Sequence, residues 1–244
     1  MQIKNQIVLI TGSAHRVGKQ IALTLAHKGA KVVLHYHSSK DAARQTFHEV
    51  KAINTEALLV QGNISHKADW LRMRDEILDS FGRIDILVNN AAIFYSTPFF
   101  EIQEKDWQKF MDINLKGAFL GSQVMGEVMI RQKKGKIINI TDVSAENIWP
   151  GYIPYCISKA GVAALTKGLA KALAPHITVN AVAPGTILLA DNYNEEEEEL
   201  LLRKTPLQRI GDPRDIANTV LFLIEGSDFV TGTTIKVDGG RSIN

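Results

Sequence analysis

The chain has 244 residues, 45% of them hydrophobic and 22% charged, with a formal net charge of +2. These values fit a globular α/β domain and exclude intrinsic disorder, and no run of Lys or Arg is long enough to form a nucleic-acid arm. The single cysteine, Cys156, excludes an intrachain disulfide and fits a reducing compartment.

The first apolar run, Ile7–Ile10, is too short for a signal peptide, and no apolar stretch approaches a membrane span. The expected location is the cytoplasm. Ile7–Ile10 reads as a buried strand, followed by a helix over 17–28 whose apolar residues Val17, Ile21 and Leu25 share a face. A strand over 31–35 and a helix over 41–53 come next. Then follow a strand over 57–60, a helix over 68–81 and a strand over 84–88. A long helix over 105–131 leads to a strand over 136–140. The last elements are a helix over 155–174, a strand over 177–183, a helix over 214–224 and a strand over 234–237. Asn194 with the acidic run 195–199 and Leu200 to Leu202 reads as one more capped helix. Strands covered on both faces appear as continuous apolar runs, and alternating strands and helices imply right-handed crossovers. The predicted fold is a single Rossmann-type domain spanning 1–244, a doubly wound parallel sheet of about seven strands with helices on both faces.

In such sheets ligands bind beyond the carboxyl ends of the strands. The first strand runs into Thr11, Gly12, Ser13, Ala14, His15, Arg16, Val17 and Gly18. Gly12 permits a tight turn, Gly18 permits close packing of helix on strand, and the helix N-terminus offers N–H groups to a pyrophosphate. Two glycines at a turn are also common in ordinary strand–helix connections. After the second strand come His35, Tyr36, His37, Ser38 and Ser39, with no acid before Asp41. A site for NAD usually carries an acidic side chain here for the ribose hydroxyls. Donors instead of an acid, with Arg16 arriving from the first turn, favour a 2′-phosphate and so NADP(H). His35 and His37 also have the spacing of metal ligands on one strand face, but no carboxylate or cysteine stands beside them, and no metal site is expected.

Tyr155 and Lys159 are four residues apart on a predicted helix and share a face. An ammonium at about 4 Å, with an effective dielectric of about 20, contributes roughly 4 kcal/mol, or about three pKa units. That is enough to bring a phenol towards neutral pH as a general acid. Asp142 lies thirteen residues before Tyr155. An ionised carboxylate there would oppose the lysine, so Asp142 is expected to be protonated, or to share its proton with Tyr155, for part of a reductive cycle. The competing reading of Asp142 is a cap for the chain leaving the strand. Cys156 reads as a small packed side chain.

Thr11-Gly12, Gly18, Asn89-Asn90-Ala91-Ala92, Asn114, Tyr155, Lys159, Pro184-Gly185 and Val237-Asp238-Gly239-Gly240 occur together, in order. This set resembles the short-chain dehydrogenase/reductase family along nearly the whole chain. The resemblance implies a nicotinamide cofactor and a tyrosine general acid. Lys159 would then hold the ribose and Asn114 a relay water. Asn90, Ala91 and Ala92 would border the cofactor, with Pro184, Gly185 and Ile187 near the nicotinamide and Asn63 and Ile64 near the adenine. A substrate lid around 186–206 and assembly into a homo-oligomer, a homotetramer in many relatives, are implied as well. The long helix over 105–131 and the Tyr155 helix would form the larger interface.

Three positions depart from the general pattern. Arg16 replaces the middle glycine, Asn63 replaces an aspartate whose carbonyl function it can keep towards adenine, and Asp142 replaces a serine. Arg16, the run His35 to Ser38, the run Asn89 to Pro98 and Asp142 resemble the pteridine reductase subgroup, although Ala92 lacks the hydroxyl usual there and Ser38 replaces an arginine. That likeness implies Phe94 as a stacking face for a flat bicyclic substrate, with Asp142 as a second acid beside Tyr155. The expected activity is NADPH-dependent reduction of a C=O or C=N bond in a small molecule, with a pteridine-like heterocycle as the leading substrate. A carbonyl or 3-oxoacyl thioester reductase is the alternative, and a non-catalytic NADP(H)-binding protein a further one.

Overall fold

The computed structural model describes residues 1–53, 56–188 and 195–243. Among these, seven strands form one parallel sheet: β1 (Ile7–Ile10), β2 (Lys31–Tyr36), β3 (Ala57–Gln61), β4 (Ile86–Asn89), β5 (Gly135–Ile140), β6 (Ile177–Pro184) and β7 (Thr234–Val237). The spatial order is β3-β2-β1-β4-β5-β6-β7. Val8 pairs with Val32 of β2 and with Ile86 of β4, so the order reverses on either side of β1. This is the switch point at which doubly wound sheets open a crevice.

The period of two along each strand divides the core. Val8 and Ile10 face α1 (Arg16–His27), α2 (Lys40–Ala52) and α8 (Pro213–Glu225), packing with Ile21, Leu25, Val50, Ile216 and Val220. Ile7 and Leu9 face α3 (Lys67–Phe81), α5 (Gly117–Arg131) and α6 (Ile153–Ala172), packing with Trp70, Met73, Ile77, Val124 and Met125. Each such side chain contributes about 1.5–3 kcal/mol by leaving water. No helix among the described residues is long and apolar enough to cross a membrane.

Two expectations shift. Strand β4 begins at Ile86 rather than 84, because the Asp85 carboxylate turns to accept the Ile7 N–H at 2.9 Å and pairs with Arg83. The long helix over 105–131 is not uniform. It starts as α4 (Glu104–Phe110), passes through a wide π-type turn at Met111–Lys116, and resumes as α5. The wide turn carries Asn114, whose side chain is bonded across to the loop after β4 and to α6. Such turns commonly occur at functional sites. The acidic run forms α7 (Glu195–Arg203); its expected cap, Asn194, lies outside the described residues.

Candidate active site

A cavity of about 1020 Å³ opens above the carboxyl ends of β1, β2, β4, β5 and β6. Its floor at β1 is a turn with little spare room. Gly12 has φ +63°, and a Cβ there would stand 2.9 Å from the Ala91 Cα. A Cβ on Gly18 would stand 2.3 Å from the Gly12 carbonyl oxygen. Thr11 Oγ1 accepts the N–H groups of Asn90 at 2.9 Å and Ala91 at 3.0 Å, and Asn90 Nδ2 donates to the Thr11 carbonyl at 2.8 Å. The β1 and β4 loops are thereby tied into one floor.

His35, considered above only as a strand-end residue or ligand, organises this floor. Its Nδ1 accepts the Gly12 N–H at 3.1 Å, which leaves Nε2 to donate to the Gly62 carbonyl at 3.0 Å. Burial lowers its pKa from 6.5 to about 4, so the ring is neutral. Both ring nitrogens are bound to main chain, which removes it as a metal ligand.

Arg16, Val17, His37, Ser38, Ser39 and Ile64 line the β2 side of the cavity. Arg16 has φ +54°, the left-handed region, and its guanidinium reaches the Leu188 carbonyl at 3.5 Å. That backbone conformation explains why a glycine is usual at this position. The expected cofactor contact at Ser13 is corrected. Ser13 is buried, and its N–H and Oγ are both bonded to the main chain of His35, so it shapes the turn without facing the cavity. Asn63 also lines the cavity, although its Oδ1 accepts both the N–H and the hydroxyl of Ser65, at 3.0 and 2.8 Å, so this carbonyl is already engaged.

At the other end, β5 and α6 bring Asp142 and Tyr155 together. The Tyr155 hydroxyl donates to Asp142 Oδ2 at 2.8 Å, while Asp142 Oδ1 accepts the Ser144 N–H at 2.8 Å. The capping reading of Asp142 is therefore realised on one oxygen, and the other oxygen stands beside Tyr155 as the acceptor of its hydrogen bond. Lys159 Nζ donates to the Ile140 carbonyl at 2.9 Å and stands 5.8 Å from the centre of the Tyr155 ring. The expected depression of the phenol by the lysine is not what the structure holds. Burial first, and the Asp142 charge second, push the Tyr155 phenol well above its usual range. Burial lowers Lys159 to about 8, against a smaller opposing effect of Asp142. The carboxylate has the direct hydrogen bond and the ammonium does not, so the carboxylate wins.

Asn114 Oδ1 accepts the Ile93 N–H at 2.8 Å, and its Nδ2 donates to the Ile93 carbonyl and to Ser158 Oγ. Its side chain locks the β4 loop to α6. Phe94 is 53% exposed and lies flat against Tyr152, with centroids 4.8 Å apart and planes 2° apart; its edge meets Tyr155 and Trp149. Ala92, Pro184, Gly185 and Ile187 line the same space, as does Leu201 of α7. Trp149, Tyr152 and Arg241 were not anticipated. The spacing of Trp149, Tyr152 and Tyr155 by threes was a readable signal for the first two. Cys156 is buried beneath them and accepts the Trp149 N–H.

Comparison with known proteins agrees with this arrangement. Residues 12–242 match the enoyl-(acyl carrier protein) reductase family. The chain is 41% identical over 240 residues to a 3-oxoacyl-(acyl-carrier-protein) reductase of Synechocystis, covering 96% of each chain. It is 41% identical over 250 residues to a subunit of a hydroxy(phenyl)methylsuccinyl-CoA dehydrogenase of Thauera aromatica, covering 100% of this chain and 99% of the relative. Among solved structures, a gluconate 5-dehydrogenase from Burkholderia cenocepacia, in complex with NADP and tartrate, superposes with a TM-score of 0.94 at 32% identity, covering 100% of this chain and 97% of that one. The enzymes named carry thioester, CoA and sugar-acid substrates; none is a pteridine reductase. A doubly wound sheet, a glycine turn at its switch point and a tyrosine–lysine helix beside it thus occur in one chain with these relatives: this protein is an oxidoreductase of the short-chain dehydrogenase/reductase family.

Proposed function

We propose that the protein is an NADP(H)-dependent reductase of a carbonyl group, with a 3-oxoacyl thioester as the substrate class its relatives favour. The observation that carries the reading is the Tyr155 hydroxyl, facing the cavity and hydrogen-bonded to Asp142. The cofactor fits the residues present. Gly12 and Gly18 let the β1 turn, the start of α1 and the β4 loop pack closely where a Cβ would clash, which sets the α1 N-terminus against the cavity for a pyrophosphate, and Arg16, His37, Ser38 and Ser39 supply donors and no acid for a 2′-phosphate. A relative in complex with NADP supports the same choice. When bound, NADPH supplies the hydride.

The chain's own residues supply the proton and the positioning. Tyr155 gives the hydroxyl proton to the substrate oxygen as negative charge develops there. Asp142 Oδ2 receives the hydrogen bond in the resting state, and after the transfer a proton taken up from solvent through the open cavity restores the phenol and that hydrogen bond. Lys159, buried beneath the ring, stabilises the phenolate and holds the ribose hydroxyls. Asn114 keeps the β4 loop and α6 in register, and with its side chain engaged a relay water would be held by main chain. Pro184, Gly185 and Ile187 would border the nicotinamide end, and a substrate lid around 186–206 belongs to the same proposal. Leu201 of α7 faces the cavity.

A second reading, reduction of a flat pteridine-like ring, is favoured by one feature, the Phe94–Tyr152 stack beside an Asp142–Tyr155 pair. NADPH oxidation with an acetoacetyl thioester, dihydrobiopterin and a quinone separates the readings. Turnover of the thioester alone supports the first, and turnover of the pterin alone replaces it. Turnover of no carbonyl substrate, with NADPH bound, would leave a non-catalytic NADP(H)-binding protein. A cytoplasmic homo-oligomer, with a homotetramer as the expected form, belongs to the same proposal; exposed Phe119 on α5 and Ile157 on α6 support an interface there.

A further inference from the structure

The cavity contains a cation that the reaction does not use. Arg241 follows β7 and lines the same cavity as Tyr155. Its guanidinium carbon stands 5.5 Å from the centre of the Trp149 ring, and its Nη1 donates to Thr186 Oγ1. The loop that carries it is held from within. The Asp238 carboxylate accepts the N–H groups of Gly240 at 3.0 Å and Ser242 at 2.8 Å, one on either side of Arg241. The guanidinium is thus fixed between an aromatic wall and the root of the lid.

Partial burial without a carboxylate partner sets it apart. Seven other arginines, at 72, 74, 83, 131, 203, 209 and 214, are paired with Asp or Glu among the described residues. Arg16, Arg44 and Arg241 make no such pair among them; Arg16 and Arg44 are exposed, whereas Arg241 is partly buried and immobilised on two partners. A half-buried, preorganised guanidinium retains a free edge for a planar anion, and such forks match carboxylates. Lys105 and Lys109 also line the cavity, but both are exposed on α4, where water screens them. The apolar rings beside Arg241 suit the carbon frame to which a carboxylate would be attached.

We propose that Arg241 is a specificity-determining residue that binds a carboxylate carried by the substrate, in the cavity where Tyr155 protonates the carbonyl. This rests on the carbonyl-reductase reading above. One guanidinium, with one donor already on Thr186, matches the charge and fork of a single carboxylate. The substrate class is then an oxo acid, or an oxoacyl thioester with a free carboxylate, rather than a plain alkyl chain.

The test is calorimetric binding of 4-formylbenzoate and of its methyl ester to the NADP⁺-loaded enzyme, with turnover by NADPH followed in parallel. The proposal expects the acid to bind at least about tenfold more tightly than the ester. Arg241→Met should erase that difference through the acid alone, leaving ester and NADP⁺ affinity unchanged, and Arg241→Lys should retain part of it. Equal affinity for acid and ester in the parent enzyme, absence of binding by both, or equal weakening of both by Arg241→Met would overturn it. If Arg241→Met does not fold, the Arg241→Lys comparison and the salt dependence of acid binding decide. Failure of NADP⁺ to bind in the loading titration would instead sink the reductase reading itself.

Discussion

The Tyr155 hydroxyl donates its hydrogen to Asp142 Oδ2 across 2.8 Å, and both side chains face one cavity. The hydrogen bond keeps the proton on the phenol, where a reductase needs it before the hydride arrives. Asp142→Asn removes the second-largest influence raising the Tyr155 pKa, so the phenol titrates at lower pH, visible as earlier phenolate absorbance. We expect the reduction rate to fall by about 10²-fold, within the range for loss of a group that assists proton transfer. A pH–rate profile identical to that of the parent enzyme would remove Asp142 from the proton path.

Arg16 has φ +54° where a glycine would be unstrained, at a cost of roughly 1 kcal/mol. If the side chain compensates by binding the 2′-phosphate, Arg16→Gly should reduce kcat/KM for NADPH by about tenfold or more and leave that for NADH unchanged. Thermal stability should hold or rise. Equal losses with both cofactors would show instead that Arg16 acts through its contact with Leu188.

His35 predicts acid sensitivity of the glycine turn. Its folded pKa of about 4 lies below the ordinary 6.5, so the unfolded chain takes up the proton first. The stability is fully present above pH 6.5 and is lost as pH falls through about 4, amounting to about 3 kcal/mol. Asp212 and Asp228, with pKa values of about 2, act in a lower window. Denaturant titrations of His35→Asn should show a flatter dependence between pH 6.5 and 4, and a slope equal to that of the parent would refute the assignment.

Lys159 should set an alkaline limb. Its pKa of about 8 means the buried ammonium is lost above that pH, and with it the charge near the phenolate and the donor proposed to hold the ribose. The kcat/KM of the free enzyme should decline above about pH 8, a limb that Lys159→Met abolishes along with most of the activity. A limb that persists in that variant belongs to another group.

Much of this molecule was readable from local pattern. Apolar runs at Ile7–Ile10, Val32 to Leu34 and Ile137 to Ile140 announced buried parallel strands, and helical spacing at Val17, Ile21 and Leu25 announced α1, because burial follows the backbone period of each element. Gly12, Gly18, Tyr155 and Lys159 were recognisable because a turn and a helix face are short-range objects.

What folding alone decided is orientation. Ser13 turned inward, Asn63 spent its carbonyl on Ser65, and Lys159 chose the Ile140 carbonyl while Asp142 took the phenol. Trp149 and Arg241 meet across ninety-two positions of chain, and the widened turn at Asn114 answers to partners on another loop and another helix. Hydrogen bonds and charges act through space, at distances that only packed elements establish, so a one-dimensional pattern names the groups without saying which of them will touch.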